Sequence, residues 1–175
     1  RVIDLIYLKY LKATISYEHD IRIETYPFAR EAVREAVCNA IIHKFYPALI
    51  PIHIRIEDDA MYISNDCVFP TGWTKETLME RHRSMPYNPD IANTFFRAGY
   101  VETWGRGIQK ICEACHALGA PNPEYTIHPQ DIMIKFDAVI TDHTNSKSDD
   151  LSDSIVLDDK QRNHIDQSIL RSLSI

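Results

Sequence analysis

The sequence predicts a fold of the α/β class. Four segments alternate apolar and polar residues in the way that half-buried strands do, and they lie at 21–26, 52–57, 61–64 and 131–137. Two longer segments, 28–44 and 107–118, follow helical periodicity instead. A chain of 175 residues suits one domain with extensions. The patterns therefore predict strands and amphipathic helices in one domain, although they leave the order of the strands open.

The elements of the first half follow one another along the chain. Residues 2–13 predict a helix that leads in from an upstream domain, and residues 21–26 alternate as a strand. Pro27 separates this strand from the helix at 28–44. A hairpin follows over 52–64, with its turn at Asp58 and Asp59. Thr74 is a favourable N-cap residue and begins a short helix that reaches about residue 81.

The second half predicts two further helices, a strand and a tail. A helix at 90–98 precedes a glycine-bearing turn, and the helix at 107–118 ends before two prolines. The segment 131–137 is the final strand. The predicted organisation is therefore a lead-in helix at 1–19, a domain at 20–140, a flexible Thr-, Asp- and Ser-rich linker at 141–155 and an amphipathic helix at 156–175.

Composition restricts the classes of partner. The formal net charge is −6, which disfavours non-specific contact with nucleic acid or with anionic lipid. The longest apolar run is too short to span a bilayer, so we expect no membrane partner. If DNA is bound, we expect flanking domains to contact it.

Two of the four cysteines form the motif Cys112-Glu-Ala-Cys115-His116. This string also occurs at haem attachment sites, and a CxxC pair can bind zinc or act in redox chemistry. No second cysteine pair completes a four-ligand zinc site, and both cysteines fall on the apolar face of the predicted helix. We therefore expect buried, reduced thiols and a cytoplasmic protein.

A polar stripe on the helix at 28–44 is the main candidate site. Glu35, Asn39 and His43 recur every four positions, and all the residues between them are apolar. Residues four apart lie on the same face of an α-helix. A carboxylate, a carboxamide and an imidazole aligned on a helix that is otherwise suited to burial indicate a binding site, although such a stripe can also be merely solvated.

Four motifs in a fixed order carry a resemblance to a known family. They are the segment 26–43, Ile63-Ser-Asn65 followed by Phe69-Pro70, Asn88-Pro89, and the segment 102–108. This series resembles the C-terminal domain of predicted bacterial transcriptional regulators, often labelled RecG-related ATP-dependent DNA helicases. Those proteins typically carry an upstream Schlafen-AlbA type domain and often a downstream winged helix. Residues 156–175 resemble the start of such a winged helix. The chain has no Walker A motif, so it is not a helicase motor on its own.

The resemblance implies a fold and a ligand. The domain is similar to GHKL ATPases, whose fold is a two-layer sandwich in which a mixed sheet is covered on one face by helices. It implies that Asn39 holds Mg²⁺ against the phosphates of ATP or ADP, and that Glu35 is a candidate general base. It also implies that His43, Asn65, Gly105, Arg106 and Gly107 contact the nucleotide.

The sequence departs from the family pattern at three places. Cys67 stands where the family has a glycine after the strand, Phe45 stands where it has an acidic residue, and Tyr87 stands where it has an arginine. Loss of charged groups weakens the expectation of hydrolysis more than that of binding. We therefore predict a nucleotide-binding regulatory module with weak or no ATP hydrolysis. The alternative is a degenerate GHKL-like domain that serves as a structural or homodimerisation module without nucleotide.

Overall fold

The structure is a computed structural model that describes residues 1–80, 82–102 and 105–139. All of these residues fall within one compact unit, which spans residues 1–141. The predicted linker at 141–155 and the predicted helix at 156–175 lie outside the described residues. Within the described part, no helix is both long enough and apolar enough to cross a lipid bilayer.

The described strands form two sheets. A two-stranded hairpin comes first in the chain, and the remaining strands form a four-stranded sheet in the order β3-β4-β6-β5. Every pairing between these strands is antiparallel. The strands are β1 (Thr14–Glu18), β2 (Ile21–Thr25), β3 (His53–Ile56), β4 (Ala60–Asp66), β5 (Glu124–His128) and β6 (Asp131–Asp137).

Among the described residues, five α-helices accompany the strands. The first is short and continues directly into a π-helical turn at Ile6–Tyr10, and the second is followed by a single 3₁₀ turn at Tyr46–Ala48. The helices are α1 (Val2–Leu5), α2 (Arg30–His43), α3 (Lys75–Met79), α4 (Pro89–Arg97) and α5 (Gly107–Leu118).

The core lies between the four-stranded sheet and the pair α2 and α5. Met61 and Ile63 of β4 lie opposite Phe136 and Ile134 of β6, and all four side chains are buried on one face of the sheet. Helix α2 meets this face with small residues, including Ala32, which is fully buried. Small side chains let the helix pack closely on the sheet, and this packing fixes the polar stripe relative to the strands.

The N-terminal helix is part of this core. Tyr7 is 2% exposed, and its hydroxyl donates a hydrogen bond of 2.9 Å to the carbonyl oxygen of Phe28. Burial raises the pKa of Tyr7 above its usual value, so the hydroxyl stays protonated and remains a donor. The contact anchors the entry to α2.

The α/β class and the two-layer arrangement are confirmed, but the sheet is antiparallel in the described residues rather than mixed. The physical reason is local: β3 and β4, and β5 and β6, are joined by tight two-residue turns, which require antiparallel neighbours. Two strands, β1 and β5, were not predicted from the sequence. The N-cap prediction is confirmed, because the Thr77 amide donates a hydrogen bond of 3.3 Å to Thr74 Oγ1.

The C-terminal end of α2 is held by a residue far away in the sequence. The Asn88 Nδ2 group donates hydrogen bonds of 2.8 Å to the carbonyl oxygens of Ile42 and Lys44, and its backbone amide also donates to Ile42. The Phe45 amide then donates to Asp66, the last residue of β4. These bonds place the end of the polar stripe beside the end of β4.

Candidate functional site

A single cavity brings together all seven candidate residues from the sequence. It has a volume of about 870 Å³ and lies against α2, α5 and the helix-facing side of the sheet. The segment that contains α3 and α4 contributes its remaining wall. The candidate residues on its surface are Glu35, Asn39, His43, Asn65, Gly105, Arg106 and Gly107.

Glu35 and Asn39 lie directly beneath the start of α5. A Cβ atom added at Gly107 would stand 2.9 Å from Glu35 Oε1, 2.9 Å from Asn39 Nδ2 and 3.3 Å from Asn39 Oδ1. At separations under 3.0 Å something must shift, and here the ends of the Glu35 and Asn39 side chains would have to move. Glycine at position 107 therefore lets the helix N-terminus approach the polar stripe without displacing these side chains.

The electrostatics of Glu35 are those of a buried, incompletely satisfied carboxyl. The residue is 5% exposed, and its Oε2 atom has no hydrogen-bond partner among the described residues. Burial raises the pKa of Glu35, and the positive charges of Lys110 and Arg34 oppose that rise. Lys110 is itself paired with Glu102 at 2.7 Å. A buried carboxylate oxygen without a partner is costly, which indicates that a ligand, ion or water completes its contacts.

The glycine segment before α5 is folded tightly against residues 82–84. Gly105 has a φ of +63°, and a Cβ atom placed there would be 2.5 Å from the carbonyl oxygen of His82. Both observations require glycine. Arg106 follows as the residue before the helix, and its side chain is exposed at the cavity. The first N–H groups of α5 have no acceptor within the helix, so this corner favours an anion.

His43, the last residue of α2, and Asn65 of β4 also line the cavity. Burial and the neighbouring His82 lower the pKa of His43, so its imidazole is neutral at neutral pH. Asn65 is 6% exposed, and its Nδ2 group donates a hydrogen bond of 3.0 Å to the carbonyl oxygen of Asp66. Asn65 lies on the helix-facing side of β4, opposite Ile132, with its amide group at the cavity.

Sequence reasoning missed three residues of the cavity. The Tyr125 hydroxyl is buried without a partner, and burial raises its pKa, so it stays protonated. Trp73 and His82 contact each other edge to face at 4.8 Å between ring centroids. Tyr125 had no sequence signal, because β5 itself was not predicted. The described residues contain two buried side-chain atoms without partners, Glu35 Oε2 and Tyr125 Oη, and both residues line this cavity.

The three departures from the family pattern have structural consequences. Phe45 and Tyr87 contact each other edge to face, with ring centroids 5.7 Å apart. An aromatic contact thus occupies the positions where the family has an acid and an arginine. Cys67 is buried at the cavity, and burial raises its pKa to about 12, so it is a neutral thiol.

Of the other cysteines, Cys38 and Cys115 are buried and Cys112 is half-buried. All four cysteines are free, and burial raises the pKa of Cys115 to about 11. Among the described residues, no group of three or more His, Cys, Asp or Glu side chains could hold a metal ion. A metal in the cavity would therefore take additional ligands from a bound molecule or from water.

Comparison with known families supports the resemblance drawn from the motifs. Residues 50–136 match the family described as "Putative ATP-dependent DNA helicase recG C-terminal", an ATPase-like domain named HATPase_c_4. The match confirms the resemblance to this family and supports a nucleotide-binding module. It includes Asn65 and the glycine segment, whereas Glu35, Asn39 and His43 precede it. No curated protein was found to match the chain.

A solved structure shares the fold. The chain is similar to the DIP2311 protein from Corynebacterium diphtheriae, with a TM-score of 0.63 and 26% sequence identity. The similarity covers 78% of this chain and 27% of that protein. The chain therefore spans about a quarter of the length of this relative.

Proposed function

We propose that this chain, whose residues 50–136 match an ATPase-like family, is the nucleotide-binding module of a transcriptional regulator and binds ATP or ADP with Mg²⁺. The observation that carries the proposal is the junction of α2 and α5. There, Glu35 Oε1 and the Asn39 amide lie against Gly107 at a helix N-terminus. The other carboxyl oxygen, Glu35 Oε2, is buried without a partner among the described residues. Hard oxygen donors and unpaired backbone N–H groups, side by side, suit a metal-bound phosphate.

The phosphates are proposed to lie at the start of α5. Gly105 and Gly107 permit close backbone approach, and Arg106 adds a positive charge at the cavity. The base is proposed to lie toward Asn65, whose Oδ1 atom can accept a hydrogen bond from an adenine amino group. Apolar side chains line this part of the cavity and would contact the flat faces of the base, among them Ile63, Phe69, Trp73 and Ile132.

The residues present fit a magnesium ion. The Asn39 amide oxygen and the Glu35 carboxylate are oxygen donors of the type that Mg²⁺ prefers, and Mg²⁺ commonly keeps several water and phosphate ligands. We propose that Asn39 contacts the ion directly. When bound, the ion neutralises phosphate charge, which otherwise opposes placement beside Glu35.

We further infer weak or no ATP hydrolysis. A general base must be ionised to accept a proton, and burial raises the pKa of Glu35. Hydrolysis also requires positive charge around the transferred phosphoryl group. Tyr87 occupies the position of the family arginine and contacts Phe45 instead. We therefore propose that the nucleotide acts as a regulatory ligand and that flanking domains contact DNA.

Thermal unfolding with nucleotide tests the binding proposal. A ligand at a hundred times its dissociation constant stabilises the native state by roughly 2.7 kcal/mol. We expect millimolar ATP or ADP with Mg²⁺ to raise the melting temperature by about 5–10 °C, and EDTA to remove most of the shift. Asn39→Ala should abolish the shift, while Asn122→Ala, at an exposed position, should retain it. Absence of any Mg²⁺-dependent shift with adenine nucleotides would refute the proposal.

The alternative is a degenerate domain that serves as a structural or dimerisation module without nucleotide. The aromatic contact between Phe45 and Tyr87, and the buried Cys67 in place of glycine, favour it. The same melting experiment separates the two functions. For hydrolysis, phosphate release should stay near background and be the same in Glu35→Gln; a clear rate lost in that variant would show that the domain is a working ATPase.

A further inference from the structure

The β1–β2 hairpin is separate from the four-stranded sheet, and among the described residues neither of its strands pairs with a further strand. Its turn is His19-Asp20, with φ angles of 46° and 65°, as in a type I′ turn. Among the described residues, β2 pairs only with β1, so its outer edge has no strand partner. A two-stranded sheet is marginally stable by itself, and an open edge is a template for another strand.

The hairpin register shows which backbone groups face outward. Glu18 lies opposite Ile21 across the two-residue turn, and such a closing pair exchanges both hydrogen bonds. Bonded and non-bonded pairs alternate along an antiparallel ladder. The N–H and C=O groups of Arg22 and Glu24 therefore point away from β1, along the open edge.

The charges on this edge are self-complementary. Arg22 and Glu24 share one face of the strand, are both exposed, and form an ion pair of 2.7 Å within the chain. If a second β2 runs antiparallel with Ile23 opposite its own copy, each Arg22 faces Glu24 of the second copy. Arg22 and Glu24 are also the residues whose backbone groups face outward. The register that pairs their opposite charges is therefore the same register that lets their backbone groups form hydrogen bonds between the two copies. Shifting the centre to Arg22 or Glu24 places like charges opposite each other, which is destabilising.

Apolar burial on the opposite face favours the same register. Ile21 is 67% exposed although isoleucine is usually buried. In the register centred on Ile23, Ile21 lies opposite Thr25 of the second copy, and the two Ile23 side chains are opposed. Such cross-strand pairs of branched side chains stabilise a sheet.

We propose that β2 pairs antiparallel with β2 of a second copy of this chain, centred on Ile23, so that the two hairpins form one four-stranded sheet. The proposal does not depend on nucleotide binding. The edge strand β3 carries a similar ion pair between Arg55 and Glu57, but Glu57 lies beyond the end of that strand. A two-fold axis there would fall on Ile56, the last residue of β3, whereas Ile23 is the middle residue of β2.

Charge reversal tests this interface in the 175-residue chain. We expect sedimentation velocity to show a dimer at 10–100 µM protein (order of magnitude). Arg22→Glu and Glu24→Arg each place like charges opposite at both pairs, and each should weaken association roughly tenfold or more. An equimolar mixture of the two variants should restore a heterodimer, and the double variant R22E/E24R should restore the homodimer. This rescue distinguishes lost pairing from lost folding.

The matched control is Arg55→Glu, which reverses the charge at an exposed position on edge strand β3 and should leave association unchanged. A wild-type chain that is monomeric throughout this concentration range would overturn the proposal. A dimer that is equally stable in Arg22→Glu, Glu24→Arg and wild type would also overturn it, because its interface would lie elsewhere on the surface.

Discussion

At the scale of single residues, Glu35 decides what the cavity can do. It is buried, its Oε2 atom lacks a partner among the described residues, and its pKa is raised by burial. A raised carboxyl pKa means that the folded state favours the protonated form. Stability from this group is therefore complete below the unfolded pKa and is lost as pH rises through the folded pKa.

This linkage predicts the behaviour of Glu35→Gln. Glutamine has a similar shape but does not titrate, so the variant does not lose stability as pH rises. We expect the free energy of unfolding of Glu35→Gln, relative to wild type, to increase with pH from about 4.5 through the raised pKa and then to level off. Urea denaturation of both proteins across roughly pH 4–8, the range in which carboxyl groups and histidines titrate, measures this difference in the free energy of unfolding. Glu31→Gln, at an exposed position on the same helix, controls for the loss of one negative charge; an equal pH dependence in both variants would contradict the assignment.

Gly107 is the second residue on which the geometry of the site depends. In an uncrowded helix, Gly→Ala stabilises by about 0.5–1 kcal/mol. Here a Cβ atom would lie 2.9 Å from Glu35 Oε1 and from Asn39 Nδ2, so we expect Gly107→Ala to destabilise by about 1–3 kcal/mol. Thermal unfolding measures the change. The cost should fall in an Asn39→Ala background, where one of the crowding side chains is removed. A more stable Gly107→Ala variant would show that α5 does not press on the stripe.

At the scale of elements, the site depends on how α2 ends. Asn88 Nδ2 donates to two carbonyl oxygens there, from Ile42 and Lys44, at 2.8 Å each. Asn88→Asp keeps the size but removes the donor, and it places a negative charge beside carbonyl oxygens. We expect a loss of about 1–3 kcal/mol at neutral pH, partly recovered at acidic pH where the aspartate is protonated. Asn122→Asp, at an exposed position, is the matched control in denaturant unfolding. If both substitutions had an equal effect, the role of Asn88 in holding the C-terminal end of α2 would be contradicted.

The contrast between predicted and unpredicted elements has a physical explanation. Alternation identified β2, β3, β4 and β6, and four-residue spacing identified the stripe on α2, because these signals are local in the sequence. Strand β5 was missed because it has only two apolar positions, Tyr125 and Ile127, and follows closely on Pro121 and Pro123. The cap at Asn88 was missed because its acceptors lie 44 and 46 residues earlier. Such contacts exist only once the chain is folded, as does the burial of Tyr125.

At the scale of the whole described molecule, burial is unevenly distributed around the cavity. Helix α2 contributes many buried residues and α5 contributes Ile111 and Cys115, whereas α3 and α4 contain none. Elements with few buried side chains have the lowest local stability. The cavity thus has one wall anchored in the core and one wall, from α3 and α4, attached mainly at the surface.

This asymmetry predicts where ligand binding is felt. Without nucleotide, amide hydrogens of α3 and α4 should exchange faster than those of α2. If Mg²⁺ and ADP fill the cavity, both helices gain contacts to the ligand through side chains such as Leu78 and Phe96. At a hundred times the dissociation constant, exchange that requires ligand release should slow by roughly a hundredfold. Amides of the β1–β2 hairpin, none of whose residues lines the cavity, serve as an internal reference that should not change. A thermal shift without slower exchange in α3 and α4 would mean that the nucleotide binds outside this cavity, and the assignment of Asn39 would then fail with it.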